Sequence, residues 1–283
     1  MKILVVGASG LVGGHSWRAA QKAGHQVTGT AYRHPAPGLV PLSLGSDEEI
    51  ARVFRTFEPQ AVICCAAWSW VDGCESDRER AFRENCDQPA RLARAAARAG
   101  AQFVHFSSSY VFDGRDGPYR EDATPNPISI YGQSKLVGEG AVMEATGGRA
   151  VIARTMGVYG EELQRKNFVH QVRDRLSAGQ RMRVPTDQFG NASYAGDLAE
   201  GVLRLLSRQA TGIWNLAGPD PCLCRKDLAL RIAREYGLDE MLFDFLPTAQ
   251  LGQAAARPVQ GGLRIERMRA ELHLDPREWV AIP

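Results

Sequence analysis

Short apolar runs alternate with amphipathic stretches through the first half of the chain. The apolar runs predict strands over residues 2–6, 26–30, 61–65, 102–106 and 150–154. The stretches between them predict helices over residues 11–23, 47–57, 78–99 and 129–145, with Gly24 and Gly100 as C-caps of two of them. Because most of the strand candidates are continuously apolar, we expect both of their faces to be covered. This order predicts an α/β fold with a Rossmann-like, doubly wound parallel sheet.

The alternation becomes irregular after about residue 155. Polar loops rich in Gly and Pro are predicted over residues 157–166, 184–194 and 218–224, with helices over residues 167–178, 195–207, 225–236 and 264–272. We therefore expect a smaller C-terminal substrate-binding lobe over the open end of the sheet. The predicted division is a Rossmann domain over residues 1–155 and a mainly substrate-binding lobe over 156–283. Residues from about 190 to 217 would return to the first domain, with a strand over 212–216.

Composition and charge narrow the function classes. The chain of 283 residues has a formal net charge of +2, which is too small to indicate binding to nucleic acid or to an acidic membrane surface. No apolar run has the length of a membrane span, and the apolar N-terminal stretch ends at Gly7 rather than continuing as a signal peptide. The six cysteines and six histidines fit no metal-ligand spacing, so we expect reduced thiols and no metal site. These features predict a cytoplasmic protein without a nucleic-acid or membrane partner.

The first predicted strand runs directly into a GxxGxxG turn that extends from Gly7 to Gly13. Gly7 allows the tight turn, Gly10 lets a pyrophosphate approach the backbone, and Gly13 lets the following helix pack against the sheet. The start of that helix offers free N–H groups to phosphate oxygens. The position of the turn between a strand and a helix predicts a dinucleotide site formed by Gly7, Ser9, Gly10, Leu11 and Val12.

The end of the second predicted strand indicates which dinucleotide binds there. An NAD site usually has an acid at this point to hold the ribose 2′-hydroxyl. Here the segment over residues 27–34 contains no acid, and Arg33 is placed to meet a 2′-phosphate with its planar guanidinium. The sequence therefore predicts NADP(H) as the cofactor, with NAD(H) as the alternative.

A second set of candidate residues lies at the start of the helix predicted over residues 129–145. Tyr131 and Lys135 are four residues apart, so they share one face of that helix. A nearby ammonium, together with an oxidised nicotinamide ring, would lower the pKa of the tyrosine and let it exchange a proton with a substrate oxygen. The preceding strand ends in three serines, any of which could bind a substrate carbonyl: Ser107, Ser108 and Ser109.

Together these motifs resemble the extended short-chain dehydrogenase/reductase family, and within it the dTDP-4-dehydrorhamnose reductase branch. The resemblance extends over nearly the whole chain. Its most specific stretches are residues 106–114 (FSSSYVFDG), 118–122 (PYRED) and 131–135 (YGQSK). Supporting matches lie at residues 65–67, 85, 154–155, 158–160, 167–168, 187–190 and 257–258.

The resemblance implies an NDP-sugar substrate held between the two lobes, and it implies roles for individual residues. The residues that match the family's catalytic set are Ser108, Tyr131 and Lys135. Those that match the segment lining the cofactor are Cys65, Ala66 and Ala67. Those that fall in substrate-contacting segments are Ser109, Asn167, Phe168, Gln188 and Arg257. In this family the helix matching residues 78–99 often packs against a second subunit, so a homodimer is implied as well.

Three departures from the branch concern its sugar-facing parts. The branch commonly has Ser-Thr-Asp-Tyr where residues 107–110 read SSSY, and Gly-Ala-Pro-Thr where residues 190–193 read GNAS. It also commonly has a tryptophan in the stretch where Gly157 stands. Because the cofactor-facing motifs are kept, the resemblance defines the chemistry more closely than the substrate.

The function predicted from these residues is NADPH-dependent reduction of a keto group on a nucleotide-activated deoxysugar. Tyr131 would donate the proton, Lys135 would bind the nicotinamide ribose, and Ser108 would orient the carbonyl. Two alternatives stay open. The first is an NDP-sugar epimerase that recycles a bound NAD. The second is a non-catalytic NADP-binding regulatory subunit, because the chain also resembles the regulatory β subunit of methionine adenosyltransferase.

Overall fold

A seven-stranded, fully parallel sheet forms the centre of the protein in a computed structural model that describes all 283 residues. In chain order the strands are β1 Lys2–Val6, β2 Gln26–Ala31, β3 Val40–Pro41, β4 Ala61–Cys64, β5 Gln102–Ser108, β6 Ala150–Thr155, β7 Val158–Tyr159, β8 Met182–Pro185, β9 Ser193–Tyr194, β10 Gly212–Asn215 and β11 Phe243–Leu246. The neighbour order in the sheet is β10-β6-β5-β4-β1-β2-β3. The predicted Rossmann-like class is confirmed, and the order reverses between β1 and β4, where such sheets bind ligands.

Ten helices connect and cover the strands. They are α1 Leu11–Lys22, α2 Asp47–Phe57, α3 Val71–Ser76, α4 Arg78–Phe82, α5 Gln88–Arg98, α6 Ile130–Ala145, α7 Phe168–Ser177, α8 Ala195–Ser207, α9 Arg225–Glu235 and α10 Glu266–Leu272. The predicted caps Gly24 and Gly100 have φ angles of 77° and 66°, in the left-handed region that glycine tolerates. No helix combines the length and the apolar content that a membrane crossing requires.

Two kinds of element were predicted incorrectly. The helix predicted over residues 78–99 is divided into α4 and α5 by a π-helical turn, Arg83–Asp87. Loops predicted over residues 157–166 and 184–194 contain strands β7 and β9 and the end of β8. These strands have two to four residues and pair with partners far along the chain, so local periodicity does not reveal them.

Most positions of the central strands are apolar because both faces of the sheet are covered. In β1, Ile3 and Val5 belong to a cluster with side chains of α1 and α8. Leu4 and Val6 face the other way, in a cluster with α2, α5 and α6. Burial of each such side chain stabilises the fold by about 1.5–3 kcal/mol. The two covered faces fix the sheet, so the carboxyl ends of its strands form a stable edge for a site.

A third cluster of buried side chains holds together α7, β8, α9 and β11, which we call the smaller lobe. Its core contains Val172, Val184, Ile232 and Phe243, each from a different one of these elements. β8 pairs only with β11, and β7 pairs only with β9. The strand predicted over residues 212–216 is present as β10 and pairs with β6 at the edge of the central sheet.

Candidate active site

The glycine-rich turn between β1 and α1 has the shape that a dinucleotide phosphate requires. Gly7 has a φ angle of 84°, and a Cβ atom on Gly13 would lie 2.1 Å from the Gly7 carbonyl oxygen. A Cβ on Gly10 would meet nothing closer than 3.5 Å, so the backbone there is open to a ligand. No side chain caps the start of α1, which leaves its first N–H groups available to an anion. These residues fit the pyrophosphate of a bound dinucleotide.

Two further segments approach this turn. The backbone of Ala66, just after β4, lies 3.0 Å from the position of a Cβ on Gly7, so the predicted segment over residues 65–67 does border the turn. From the other side, Gln164 donates a hydrogen bond of 3.4 Å from Nε2 to the Ser9 carbonyl oxygen. Nε2 of His15, in α1, also lies 3.2 Å from the carbonyl oxygen of Glu161. The loop over residues 160–166 therefore contacts the glycine-rich turn and α1, where the cofactor is expected to bind.

Arg33 lies at the carboxyl end of β2, as predicted, but an acid from elsewhere is paired with it. Its guanidinium contacts the Glu84 carboxylate at 2.5 and 3.1 Å, and Arg80 contacts the same carboxylate at 2.9 Å. Burial raises the pKa of Glu84, but the two arginines more than offset this and lower it, so the carboxylate is charged at neutral pH. No local motif indicates this pair, because Glu84 lies 51 residues away in the π-helical turn.

Tyr131 lies in the first turn of α6 and faces the end of β5. The Tyr110 ring packs edge-on against the Tyr131 ring, with centroids 5.4 Å apart. Burial raises the pKa of Tyr131 to about 12, partly offset by a hydrogen bond with Ser108. The lowered pKa predicted from the sequence also required an oxidised nicotinamide ring beside Tyr131, so it stays a prediction. The phenol is fully protonated at neutral pH.

Lys135 is 2% exposed and lies one turn further along α6. Its ammonium donates a hydrogen bond of 2.7 Å to the Phe106 carbonyl oxygen, and it lies 3.3 Å from Nε2 of His105. Burial lowers the pKa of Lys135 to about 8 and lowers that of His105 well below its usual value. A neutral imidazole with its proton on Nδ1 therefore accepts from the ammonium. No local sequence motif indicates this pairing of Lys135 with His105.

A buried ion pair locks the strands and the helix that carry these groups. Arg154 of β6 binds Glu139 of α6 through two hydrogen bonds of 2.7 and 3.0 Å, and both side chains are at most 6% exposed. Ser107 of β5 donates a hydrogen bond of 2.5 Å to the same carboxylate. Three elements are thereby fixed to each other, one residue from Ser108 and one helical turn from Lys135.

Asn85 ties the loop after β4 to the same helix. Its side chain accepts from the Trp68 N–H at 2.8 Å and donates to the Trp68 carbonyl oxygen at 3.1 Å and to Ser134 Oγ at 3.0 Å. Asn85 is fully buried in the π-helical turn, and such turns recur at functional sites. The extra residue of that turn places the amide between the loop after β4 and α6.

The side chains predicted to contact substrate differ in whether they already have hydrogen-bond or ion-pair partners within the protein. Asn167 caps α7 and donates to the Gly160 carbonyl oxygen at 2.9 Å, so its side chain already serves the local fold. Gln188 donates to Thr248 Oγ1 at 3.1 Å, and Arg257 pairs with Asp72 at 2.8 Å. Ser109 is 1% exposed, and its hydroxyl has no hydrogen-bond partner.

Residues 1–281 match the family described as RmlD substrate binding domain. The dTDP-4-dehydrorhamnose reductase of Mycobacterium tuberculosis is 33% identical, covering 98% of this chain and 90% of that relative. Methionine adenosyltransferase 2 subunit beta of Bos taurus is 30% identical, covering 93% of this chain and 78% of that relative. A crystal structure of dTDP-4-dehydrorhamnose reductase from Bacillus anthracis in complex with NADP has a TM-score of 0.88 at 25% identity, covering 97% of this chain and 94% of that one. The chain therefore belongs to the RmlD substrate binding domain family, and it shares the fold of the solved dTDP-4-dehydrorhamnose reductases.

Proposed function

We propose that this protein is an NADPH-dependent reductase of a keto group on a nucleotide-activated deoxysugar. The observation that carries the proposal is the placement of a protonated phenol, Tyr131, beside Ser108 and one turn before a buried ammonium, Lys135, at the end of β5. Relatives named dTDP-4-dehydrorhamnose reductase support the substrate class.

The cofactor would lie along the glycine-rich turn, with its phosphates against Gly7, Ser9, Gly10, Leu11 and Val12. When bound, NADPH supplies the hydride that the carbonyl carbon accepts. Arg33 would hold the 2′-phosphate, and the segment over residues 65–67 would line the adjoining wall. NAD(H) is the alternative cofactor, because Glu84 brings an acid to the same place. The solved relative that contains NADP supports the first choice.

The catalytic side chains would act on the substrate oxygen. Ser108 would donate a hydrogen bond to the carbonyl oxygen and orient it. Tyr131 would give its proton to that oxygen as negative charge develops there. Lys135 would bind the nicotinamide ribose and stabilise the phenolate that remains after proton transfer. In the reducing direction the donor must begin protonated, and the raised pKa of Tyr131 meets that requirement.

The two parts of the molecule would bind different ligands. Residues 1–155, together with about 190–217, would bind the cofactor, and most of residues 156–283 would bind the sugar nucleotide. Ser109, Phe168, Gln188 and Arg257 are the proposed substrate contacts, whereas Asn167 would act through the loop it holds in place.

The test is oxidation of NADPH, followed by its absorbance, with a panel of dTDP- and UDP-4-keto sugars. We expect turnover with at least one of them, and a loss of about 10²–10⁴-fold in kcat for Tyr131→Phe with little change in NADPH affinity. The matched control is Tyr236→Phe, which removes a hydroxyl that lies just after α9 and hydrogen-bonds to Ile282. Absence of turnover across the panel, or full activity of Tyr131→Phe, would contradict the proposal.

A regulatory role is the second candidate, since methionine adenosyltransferase 2 subunit beta is also a relative. It would use the same cofactor site without turnover. Co-purification with a methionine adenosyltransferase, combined with no turnover of any keto sugar, would favour this role over the reductase.

A further inference from the structure

Arg225, the first residue of α9, has a guanidinium that forms neither a hydrogen bond nor an ion pair with any group of the protein. The side chain is partly buried. The other arginines that lack a hydrogen-bond partner are exposed, except Arg231, which stacks on the Trp279 ring. A cation withdrawn from water without a counter-charge is costly, so its partner is expected to come from outside the protein.

Arg225 lies between the smaller lobe and the segment that follows β5. Its guanidinium lies over the Phe168 ring at 4.6 Å, and its backbone N–H donates to the Gln188 carbonyl oxygen at 2.8 Å. Burial raises the pKa of Tyr110, and the positive charges of Arg257 and Arg225 oppose that effect. Arg225 is therefore within electrostatic reach of the ring that packs on Tyr131.

We propose that Arg225 binds an anionic oxygen group of the substrate, either a phosphate of the nucleotide or a carboxylate of the sugar. This inference rests on the proposed function, because it assigns a residue to the substrate of that same site. A guanidinium matches both groups, since its fork of N–H donors meets two oxygens at once.

Arg225, rather than Arg257, is proposed to attract the anion because only Arg225 has a charge that no group of the protein balances. Arg257 is 8% exposed in its side chain and neutralised by Asp72 at 2.8 Å, and it also donates to the Ala255 carbonyl oxygen at 2.9 Å. Its charge is balanced before any ligand arrives. Arg225 keeps its whole charge, and stacking on Phe168 holds the guanidinium plane without using its N–H groups.

The test is calorimetric titration of the NADP⁺-loaded protein with dTDP, thymidine, UDP-glucose and UDP-glucuronate. The variants are Arg225→Gln and Arg225→Lys, and the matched control is Arg231→Gln on the same helix. Removing the charge of Arg225 should weaken binding of the recognised anion by about ten- to a hundredfold. Arg225→Lys should lose less, because it keeps the charge but not the fork. Arg231→Gln should bind as the wild type does.

The probes separate the two anion sources. Weaker binding of dTDP with unchanged binding of thymidine assigns the phosphate. Unchanged dTDP binding, with loss of any advantage of UDP-glucuronate over UDP-glucose, assigns the carboxylate. Equal affinities of the wild type and Arg225→Gln for all four probes would overturn the proposal, as would a wild type that binds none of them. Should Arg225→Gln fail to fold, the Arg225→Lys comparison decides in the same way.

The reductase proposal can fail separately. A wild type that binds dTDP through Arg225 but oxidises no NADPH with any keto sugar would overturn the reductase alone. An active reductase whose KM for its keto sugar is unchanged in Arg225→Gln would overturn the anion site alone.

Discussion

The two sides of the proposed active site differ in how completely their polar groups are paired. On the side of the sheet, the buried charges of Lys135, Glu139 and Arg154 all have protein partners within 3.3 Å. On the side of the cleft, Ser109 has a buried hydroxyl without a partner, and Arg225 has an unpaired guanidinium. Unpaired groups of this kind are costly in a folded protein unless a ligand satisfies them.

This difference indicates which parts of the site are complete before ligands bind. The paired charges hold their side chains in one arrangement, so the residues proposed to transfer the proton are already in place. Under the proposed function, the unpaired groups of the cleft would obtain their partners from the substrate, and the binding energy of the substrate would order that side.

The largest expected effect is a loss of stability on removal of Arg154, one partner of the buried ion pair. Replacement by Met would leave Glu139 buried without its partner, so we expect Arg154→Met to lower the free energy of unfolding by about 3–5 kcal/mol. Urea denaturation measures this change. Arg154→Met/Glu139→Met should recover part of the loss, because it removes both charges.

The matched control for that experiment is Arg234→Met, which breaks the exposed pair with Glu240. An exposed pair is screened by water and should matter much less. If Arg154→Met and Arg234→Met destabilise the protein equally, the buried pair is not what fixes β5, α6 and β6 to each other.

The features predicted well from the sequence are those that depend on local pattern. Continuous apolar runs identified most of the strands because those at the centre of the sheet are buried on both faces. The glycine-rich turn was identified because a Cβ atom on Gly7 or Gly13 would come too close to neighbouring backbone atoms. Only glycine fits at these two positions, and this requirement produces the GxxGxxG spacing. Tyr131 and Lys135 were identified because both lie on one helix, four residues apart.

The features that were missed depend on contacts between distant segments. Glu84 reaches Arg33 from 51 residues away, and Glu139 reaches Arg154 only after α6 and β6 have packed together. No local motif distinguishes these glutamates from exposed ones such as Glu79. The raised pKa of Tyr131 was missed for the same reason, since burial is a property of the packed molecule.

A second prediction concerns how the pairing of Arg33 affects the choice between NADPH and NADH. Glu84 competes with a 2′-phosphate for the Arg33 guanidinium and can accept a hydrogen bond from a 2′-hydroxyl, so it should favour NADH. We expect Glu84→Gln to raise the ratio of kcat/KM for NADPH to that for NADH by about tenfold, equivalent to roughly 1.4 kcal/mol. Steady-state kinetics with both cofactors measures the ratio.

Glu79→Gln is the control for this substitution, because Glu79 lies on the same helical segment but is exposed and pairs with Arg83. It should leave the ratio unchanged. A fall in the ratio for Glu84→Gln would mean the opposite role, in which Glu84 orients Arg33 toward the phosphate instead of competing with it.

The smallest expected effect tests the pairing of Lys135 with His105. The charged form of Lys135 is the one proposed to bind the ribose and stabilise the phenolate. Activity should therefore be present below the pKa of about 8 and be lost as the pH rises through it. His105→Leu removes an acceptor from the ammonium, which disfavours the charged form. The basic limb of the kcat/KM profile should then move to lower pH by about half a unit to one unit.

His105→Gln separates this effect from a change in packing. Its amide oxygen can accept from the ammonium as the imidazole does, so the basic limb should return toward its wild-type position. A purely structural role of His105 would lower the melting temperature of both variants and leave the limb where it is. The paired side of the site would then hold Lys135 through the Phe106 carbonyl alone, and the completeness inferred for that side would not extend to the histidine.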